Sequence, residues 1–203
     1  MKKTIISILA ASTVFLTSCG GILSGDKLTD AEGLKAIKTI VETEFGAETE
    51  VYALQISSTD HLTSEFGSAR ISYLEEGVDF SRTYMQIVGA NNQLQEPKEA
   101  SKAFQKEFFL KNKQGKVKIK DLDFNLVLTK YNEAAAMVSD EYESLTLYSW
   151  SFNVENDGMI SAKFTIEATL KGEGNTMQGR NIVTNYYEFE FEMNKDGEII
   201  PQD

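Results

Sequence analysis

The sequence predicts an α+β fold in which helices pack on one face of antiparallel sheet. Two stretches carry apolar residues at helical spacing, and segments in which apolar and polar residues alternate follow each of them. Apolar residues make up 41% and charged residues 25% of the 203-residue chain, which is typical of globular proteins. We therefore expect two tandem repeats, each a helix followed by an antiparallel meander.

The first helix is predicted from a capping box at residues 29–32 (TDAE), with Thr29 as the N-cap. Gly46 provides a stop that tolerates a left-handed backbone. Between them, apolar residues recur at the spacing of one helix face: Leu34, Ile37, Val41 and Phe45.

The second helix is predicted over residues 124–142, with Asp123 as a capping residue. Its apolar stripe consists of Phe124, Val127, Leu128, Tyr131, Ala135, Val138 and Tyr142. This helix would begin the second repeat and cover the strands that follow it.

Three segments after the second helix alternate with period two, as half-buried strands do. The predicted inward sets are Tyr148, Trp150, Phe152 and Val154; Ile160, Ala162, Phe164, Ile166, Ala168 and Leu170; and Val183, Tyr187, Phe189, Phe191 and Met193. The sequence NDG at 156–158 predicts a hairpin turn between the first two. We interpret the aromatic side chains as core rather than as a ligand box. Weaker strands are expected near 50–57, 69–76, 82–88 and 104–111.

The two halves of the chain show a similar pattern. FEFEMNKDGEII at 189–200 matches FFLKNKQGKVKI at 108–119 in its aromatic strand, Asn-Lys pair, glycine turn and apolar end. We therefore predict one repeat at 28–120 and a second at 121–203. This arrangement loosely resembles the PepSY-like lipoproteins and the β-lactamase-inhibitor-like proteins, and the resemblance concerns architecture alone.

The amino terminus has the layout of an export signal. Lys2 and Lys3 precede a mostly apolar run over residues 4–16, which is too short to span a bilayer. Leu16, Thr17, Ser18 and Cys19 follow, and this order resembles the lipobox of bacterial lipoprotein precursors. The resemblance implies that residues 1–18 are a signal peptide and that Cys19 is the lipid attachment site.

A lipid-anchored chain would face the periplasm close to its membrane. Two or more acyl chains hold a protein stably, since each buried CH₂ contributes about 0.8 kcal/mol. Residues 19–27 read as a short flexible tether. In enterobacterial lipoproteins an aspartate after the cysteine signals retention in the inner membrane. Gly20 at that position favours the outer membrane.

Charge restricts the partners of the exported part. The formal net charge of −11 becomes −13 once Lys2 and Lys3 are removed. Such an acidic surface repels nucleic-acid phosphate, so no nucleic-acid partner is expected. Cys19 is the only cysteine, which excludes an intramolecular disulfide.

Motifs for catalysis or cofactor binding are incomplete. Residues 174–181 (GNTMQGRN) have the glycine spacing of a phosphate loop, but Arg180 and Asn181 replace its lysine and hydroxyl residue. Residues 192–203 imitate EF-hand spacing without the closing glutamate. His61 is the only histidine and Cys19 the only cysteine, so these residue types cannot assemble a zinc site. The sequence has no GxSxG motif that would present a nucleophilic serine to His61. We expect no catalytic residue, metal ligand or cofactor.

The sheet face opposite the helices is the predicted partner surface, because tyrosine amid mixed charges is typical of interfaces. Its candidate residues are Lys163, Glu167, Thr184, Tyr186 and Glu188, with a register that sets Lys163 opposite Glu188. The expected function is a binding or structural module for protein or cell-envelope material. Two alternatives stay open: a carboxylate-based hydrolase of envelope glycan, and an inhibitor of a periplasmic enzyme.

Overall fold

The structure is a computed structural model that describes residues 25–87, 90–99, 115–173, 175–178 and 181–202. Within these ranges it has two α-helices, α1 at Ala31–Phe45 and α2 at Asn125–Ala135, and a 3-10 turn at Ile119–Asp121. Neither described helix combines the length and the hydropathy needed to cross a bilayer. The lipobox with Cys19, the strand expected near 104–111 and three residues of the Gly-rich loop (Gly174, Gly179 and Arg180) lie outside the described residues.

Most of the described strands belong to one antiparallel sheet. In chain order the strands are β1 (Glu50–Val51), β2 (Ala53–Ser58), β3 (Phe66–Glu75), β4 (Val78–Met85), β5 (Gln93–Leu94), β6 (Lys98–Glu99), β7 (Val117–Lys118), β8 (Tyr142–Val154), β9 (Ile160–Leu170), β10 (Thr176–Gln178), β11 (Asn181–Val183), β12 (Tyr187–Met193) and β13 (Ile199–Pro201). The sheet runs β13-β12-β9-β8-β2-β3-β4-β5, with β6 also paired to β4. β1 pairs with β7, and β10 with β11, in two separate ribbons. The α+β prediction is confirmed.

One hydrophobic cluster joins both helices to a single face of the sheet. On this face Trp150 stacks on Phe164 and Phe164 stacks on Phe191, with ring centroids 4.6 and 5.5 Å apart. The alternation predicted for β9 and β12 is confirmed by the buried set Ala162, Phe164, Ile166, Ala168, Phe191 and Met193. The opposite face carries no helix within the described ranges and forms the site considered below.

Helix α1 has the predicted apolar face but a different cap. Leu34, Ile37, Val41 and Phe45 are buried, and Gly46 ends the helix with a φ of 88°. The N-cap is Asp30 rather than Thr29, because Asp30 has the extended backbone and its Oδ1 accepts the Gly33 N–H at 2.6 Å.

Helix α2 is shorter than the predicted 124–142. Its last turn tightens, since Met137 and Val138 donate their N–H groups to carbonyls only three residues earlier. The chain then turns, and Tyr142 begins β8, where its ring meets Tyr187 and Phe189 edge-on. The predicted apolar stripe of the helix therefore included one aromatic residue, Tyr142, that belongs to the next strand. Asp123 does act at the start of the helix, accepting the Asn125 N–H at 2.9 Å.

Strand β8 contains two bulges, and one of them overturns a predicted face. Trp150, Phe152 and Val154 are buried as expected, and the NDG hairpin closes between β8 and β9. The pairing with β9 shifts between Leu147 and Ser149, which leaves Tyr148 as the extra residue. The Tyr148 ring consequently lies on the open side of the sheet instead of in the core, because a bulge redirects a side chain that strict alternation would bury.

The pairing of β9 with β12 also differs from the predicted register. Lys163 lies opposite Glu192, and Glu188 lies opposite Glu167. The predicted Lys163–Glu188 pair is wrong because a further ribbon, β10–β11, is inserted between these strands. The displacement is an even number of residues, so each side chain keeps its predicted face.

Candidate functional site

The predicted partner residues separate into two groups on the open face of the sheet. Glu167, Tyr186 and Glu188 lie together around His61. Lys163 is exposed and pairs with Glu192 at 3.8 Å, while the Thr184 hydroxyl donates to Asn175 Oδ1 at 2.9 Å. The structure thus concentrates the candidate site at one end of this face.

Glu167 is fully buried although it belongs to the open face. The connection between β2 and β3, residues 59–65, folds over it and is called the His61 loop here. One carboxylate oxygen lies 2.5 Å from His61 Nδ1, and the other accepts the Leu62 N–H at 2.6 Å. Because both oxygens have partners, the buried charge is compensated by hydrogen bonds and by the imidazole.

The backbone of the His61 loop is shaped to reach Glu167. Leu62 adopts a φ of 54°, which is uncommon for a branched residue and turns its N–H toward the carboxylate. At the base of the loop, a Cβ on Gly67 would lie only 2.6 Å from Thr59 Cα, so glycine is required for this close approach. Ser64 closes the loop by accepting the Leu147 N–H of bulged strand β8 at 2.9 Å.

His61 is held between two tyrosine rings. Tyr148 lies at a centroid distance of 4.9 Å and an interplanar angle of 12°, and Tyr186 lies at 4.3 Å and 20°. The hydrogen bond with Glu167 holds the pKa of His61 above its ordinary value; the charges of Glu167, Asp60 and Glu188 act in the same direction, and desolvation opposes them. The arrangement favours an imidazolium ion, since aromatic faces also attract a cation.

The hydroxyl of Tyr186 lies 3.1 Å from His61 Nε2. Because the two rings are nearly parallel, this oxygen lies above the imidazole rather than in its plane, where a nitrogen makes its directed bonds. Desolvation first and then the charges of Glu188 and Glu167 raise the pKa of Tyr186, so the phenol stays protonated near neutral pH.

Carboxylates outnumber the single basic group of the cluster. An imidazole nitrogen of His61, an oxygen of Glu167 and an oxygen of Glu188 all lie within 4.8 Å of one another. The imidazole side chain of His61 is 40% exposed, and Glu188 is exposed, so the cluster opens to solvent on one side. With His61 protonated, these three groups carry a net charge of −1.

A polar groove crosses the open face beside the cluster. Hydroxyl, amide and charged side chains from β2, β8, β9 and β12 line it, with Gln202 at its end: Gln55, Ser149, Ser151, Lys163, Thr165 and Glu190. The groove can offer donors and acceptors to an extended polar ligand, and the Tyr186 ring lies on the same face.

A second buried acid, Asp79 on β4, has a structural explanation. It accepts the Tyr52 hydroxyl at 2.6 Å, and burial raises its pKa. Asp79 therefore contrasts with Glu167, whose partners include a titratable and solvent-accessible imidazole.

His61 and Tyr148 are the site residues that sequence reasoning missed. From the sequence, His61 has no predicted role, and Tyr148 is predicted to lie in the core. Glu167 is the only acidic residue of β9, and this local signal does not identify a partner 106 residues away.

No protein-family model matches the chain, and comparisons with curated proteins and with solved structures find no match either.

Proposed function

We propose that the chain is a lipoprotein, anchored through Cys19 on the periplasmic side of a membrane, whose folded part is a binding module. The geometry that supports binding best is the open sheet face, which joins the His61–Tyr148–Tyr186 stack to the polar groove. Its partner would be a protein or a cell-envelope polymer. The lipobox at residues 16–19 supports the anchor, and Gly20 favours the outer membrane.

The strand order supports a further part of this proposal, the two tandem repeats. Each half has a helix followed by a meander: α1 with β2, β3 and β4, and α2 with β8, β9 and β12. The first strands of the two meanders, β2 and β8, are antiparallel neighbours at the centre of the sheet. Two copies related by a local two-fold axis would produce this order and would present one continuous face to a partner.

The hydrolase alternative has less support. Two carboxylates that act on a glycosidic bond must both reach the substrate. In known enzymes the two carboxyl groups lie roughly 5 Å or more apart. Glu167 and Glu188 are neighbours, but Glu167 is fully buried beneath the His61 loop. The inhibitor alternative would use the same face and is therefore one form of the binding proposal.

One experiment tests both parts. Cells of the source organism would express wild-type protein, Cys19→Ala, or Tyr186→Ala combined with Glu188→Lys. We expect wild type to fractionate with membranes and to carry the acyl mass at Cys19, and Cys19→Ala to accumulate as an uncleaved precursor. The double variant should remain acylated and folded but lose the material that cross-links to wild type, because the exposed ring and charge of the face have changed.

Asp196→Lys is the matched control for the face, since it reverses an exposed charge in the turn between β12 and β13. It should cross-link like wild type. Unmodified wild-type protein free in the periplasm would refute the anchor. Equal cross-linking by the double variant and the control would refute this face as the binding surface.

A further inference from the structure

We propose that His61, Glu167 and Glu188 form a binding site for a divalent transition-metal ion of the Zn²⁺ type. The ligand set is one imidazole nitrogen and one oxygen from each carboxylate, and these atoms already lie within 4.8 Å of one another. Imidazole and carboxylate are both established zinc ligands. This site lies on the open face proposed for the partner, but its ion can be tested without the partner and without the membrane anchor.

Three different segments bring these ligands together, namely the His61 loop and the neighbouring strands β9 and β12. Glu167 and Glu188 face each other across neighbouring strands of the sheet, as directly paired residues. His61 comes from the loop that closes over Glu167, and its ring lies between Tyr148 and Tyr186. A sheet-based carboxylate pair with an imidazole above it is a convergent arrangement rather than a chance group of surface acids.

The sequence-based expectation of no metal site excluded a zinc site of histidine and cysteine and an EF-hand loop, but it did not combine His61 with carboxylates. A single imidazole cannot hold zinc, but one imidazole with two carboxylates supplies three protein ligands, as in open zinc sites. Sequence alone could not select two of the 31 acidic residues as its companions.

The chemistry of the ligands selects the class of ion. Mg²⁺ and Ca²⁺ prefer oxygen ligands alone, whereas imidazole nitrogen favours Zn²⁺, Ni²⁺ and Cu²⁺. Two carboxylates with a neutral imidazole neutralise any divalent ion, so the imidazole alone selects among them. Binding replaces the proton of the His61 imidazolium, which is released to solvent, so the ion and the proton compete for one nitrogen.

The sole histidine gives the proposal a direct readout. The full-length chain, purified in detergent micelles without a histidine tag, would be titrated with Zn²⁺ and separately with Ca²⁺. The imidazole proton resonances belong to His61 alone. We expect Zn²⁺ to bind with a stoichiometry near one, to shift these resonances and to release protons by calorimetry, while equal Ca²⁺ leaves the resonances in place.

Glu188→Gln removes one ligand charge, and Glu190→Gln is its matched control two residues along the same face of β12. We expect Glu188→Gln to weaken Zn²⁺ binding about 10-fold or more, and Glu190→Gln to bind like wild type. His61→Phe keeps an aromatic ring between the tyrosines and should abolish specific binding.

Two results would overturn the proposal. One is that saturating Zn²⁺ leaves the His61 resonances unmoved. The other is that Glu188→Gln and Glu190→Gln weaken binding equally, which would mean that the ion responds only to the general acidity of the surface. Neither result depends on membrane anchoring or on partner capture, so the fate of this proposal is distinguishable from that of the proposed function.

Discussion

The two faces of β9 bury side chains by different means. On the helix side, Phe164 is buried by Trp150, Phe191 and the rest of the hydrophobic cluster. On the open side, Glu167 is buried beneath the His61 loop, which provides a backbone N–H and an imidazole to its carboxylate. The first face is stabilised by apolar area, which many neighbours share. The second depends on a few directed contacts, each of which can be lost separately.

Phe164→Ala should have the largest effect on stability, because it opens a cavity in the centre of the helix side. We expect the free energy of unfolding to fall by about 3–5 kcal/mol. Urea unfolding of residues 25–203, followed by fluorescence of the buried and only tryptophan, Trp150, measures this loss. A loss below about 1 kcal/mol would contradict the central position of this ring in the core.

Glu167→Gln should have a smaller effect that is confined to the open side. The amide can still bond Leu62 and His61, but the charge-assisted character of both bonds is lost, so we expect a decrease of about 1–3 kcal/mol. The same urea experiment measures it. Glu190→Gln, an exposed position on the same sheet face, is the control and should change stability by less than about 0.5 kcal/mol. Equal losses in the two variants would show that the His61 loop is not held by the buried carboxylate.

The difference between the two faces also determines what the sequence could predict. Period-two spacing predicts the burial of Ala162, Phe164 and Ile166, because their environment is set by neighbours along the strand. The same spacing gave the wrong face for Tyr148, because a bulge adds one residue to β8 and nothing in the local sequence indicates the bulge. The position of Glu167 was predicted, but its burial was not, because the loop that covers it comes from the other half of the chain. Local spacing identifies faces, whereas sites depend on contacts between distant segments.

The smallest expected effect concerns the pH dependence of the His61 contact, measured with a chelator present. Glu167 raises the pKa of His61 in the folded state above the value of about 6.5 found in unfolded chains. The resulting stabilisation is complete below the unfolded pKa and is lost as pH rises through the folded pKa. Stability should therefore decline slightly with rising pH in that window, and only slightly, because the imidazole is 40% exposed and solvent screens its charge.

The comparison with His61→Phe isolates this contribution, since the phenyl ring can occupy the space between Tyr148 and Tyr186 without titrating. The difference in the free energy of unfolding between wild type and this variant should shrink as pH rises. Asp60 and Glu188 also face the imidazole, and their charges raise the pKa of His61 in the same direction as Glu167, so the difference includes their contribution. Titration of the single histidine by proton NMR gives the folded pKa directly, and Glu167→Gln should move it down toward the ordinary value. A wild-type pKa at or below the ordinary value would contradict the charged contact and leave the stacking of the two tyrosines as the main restraint on His61.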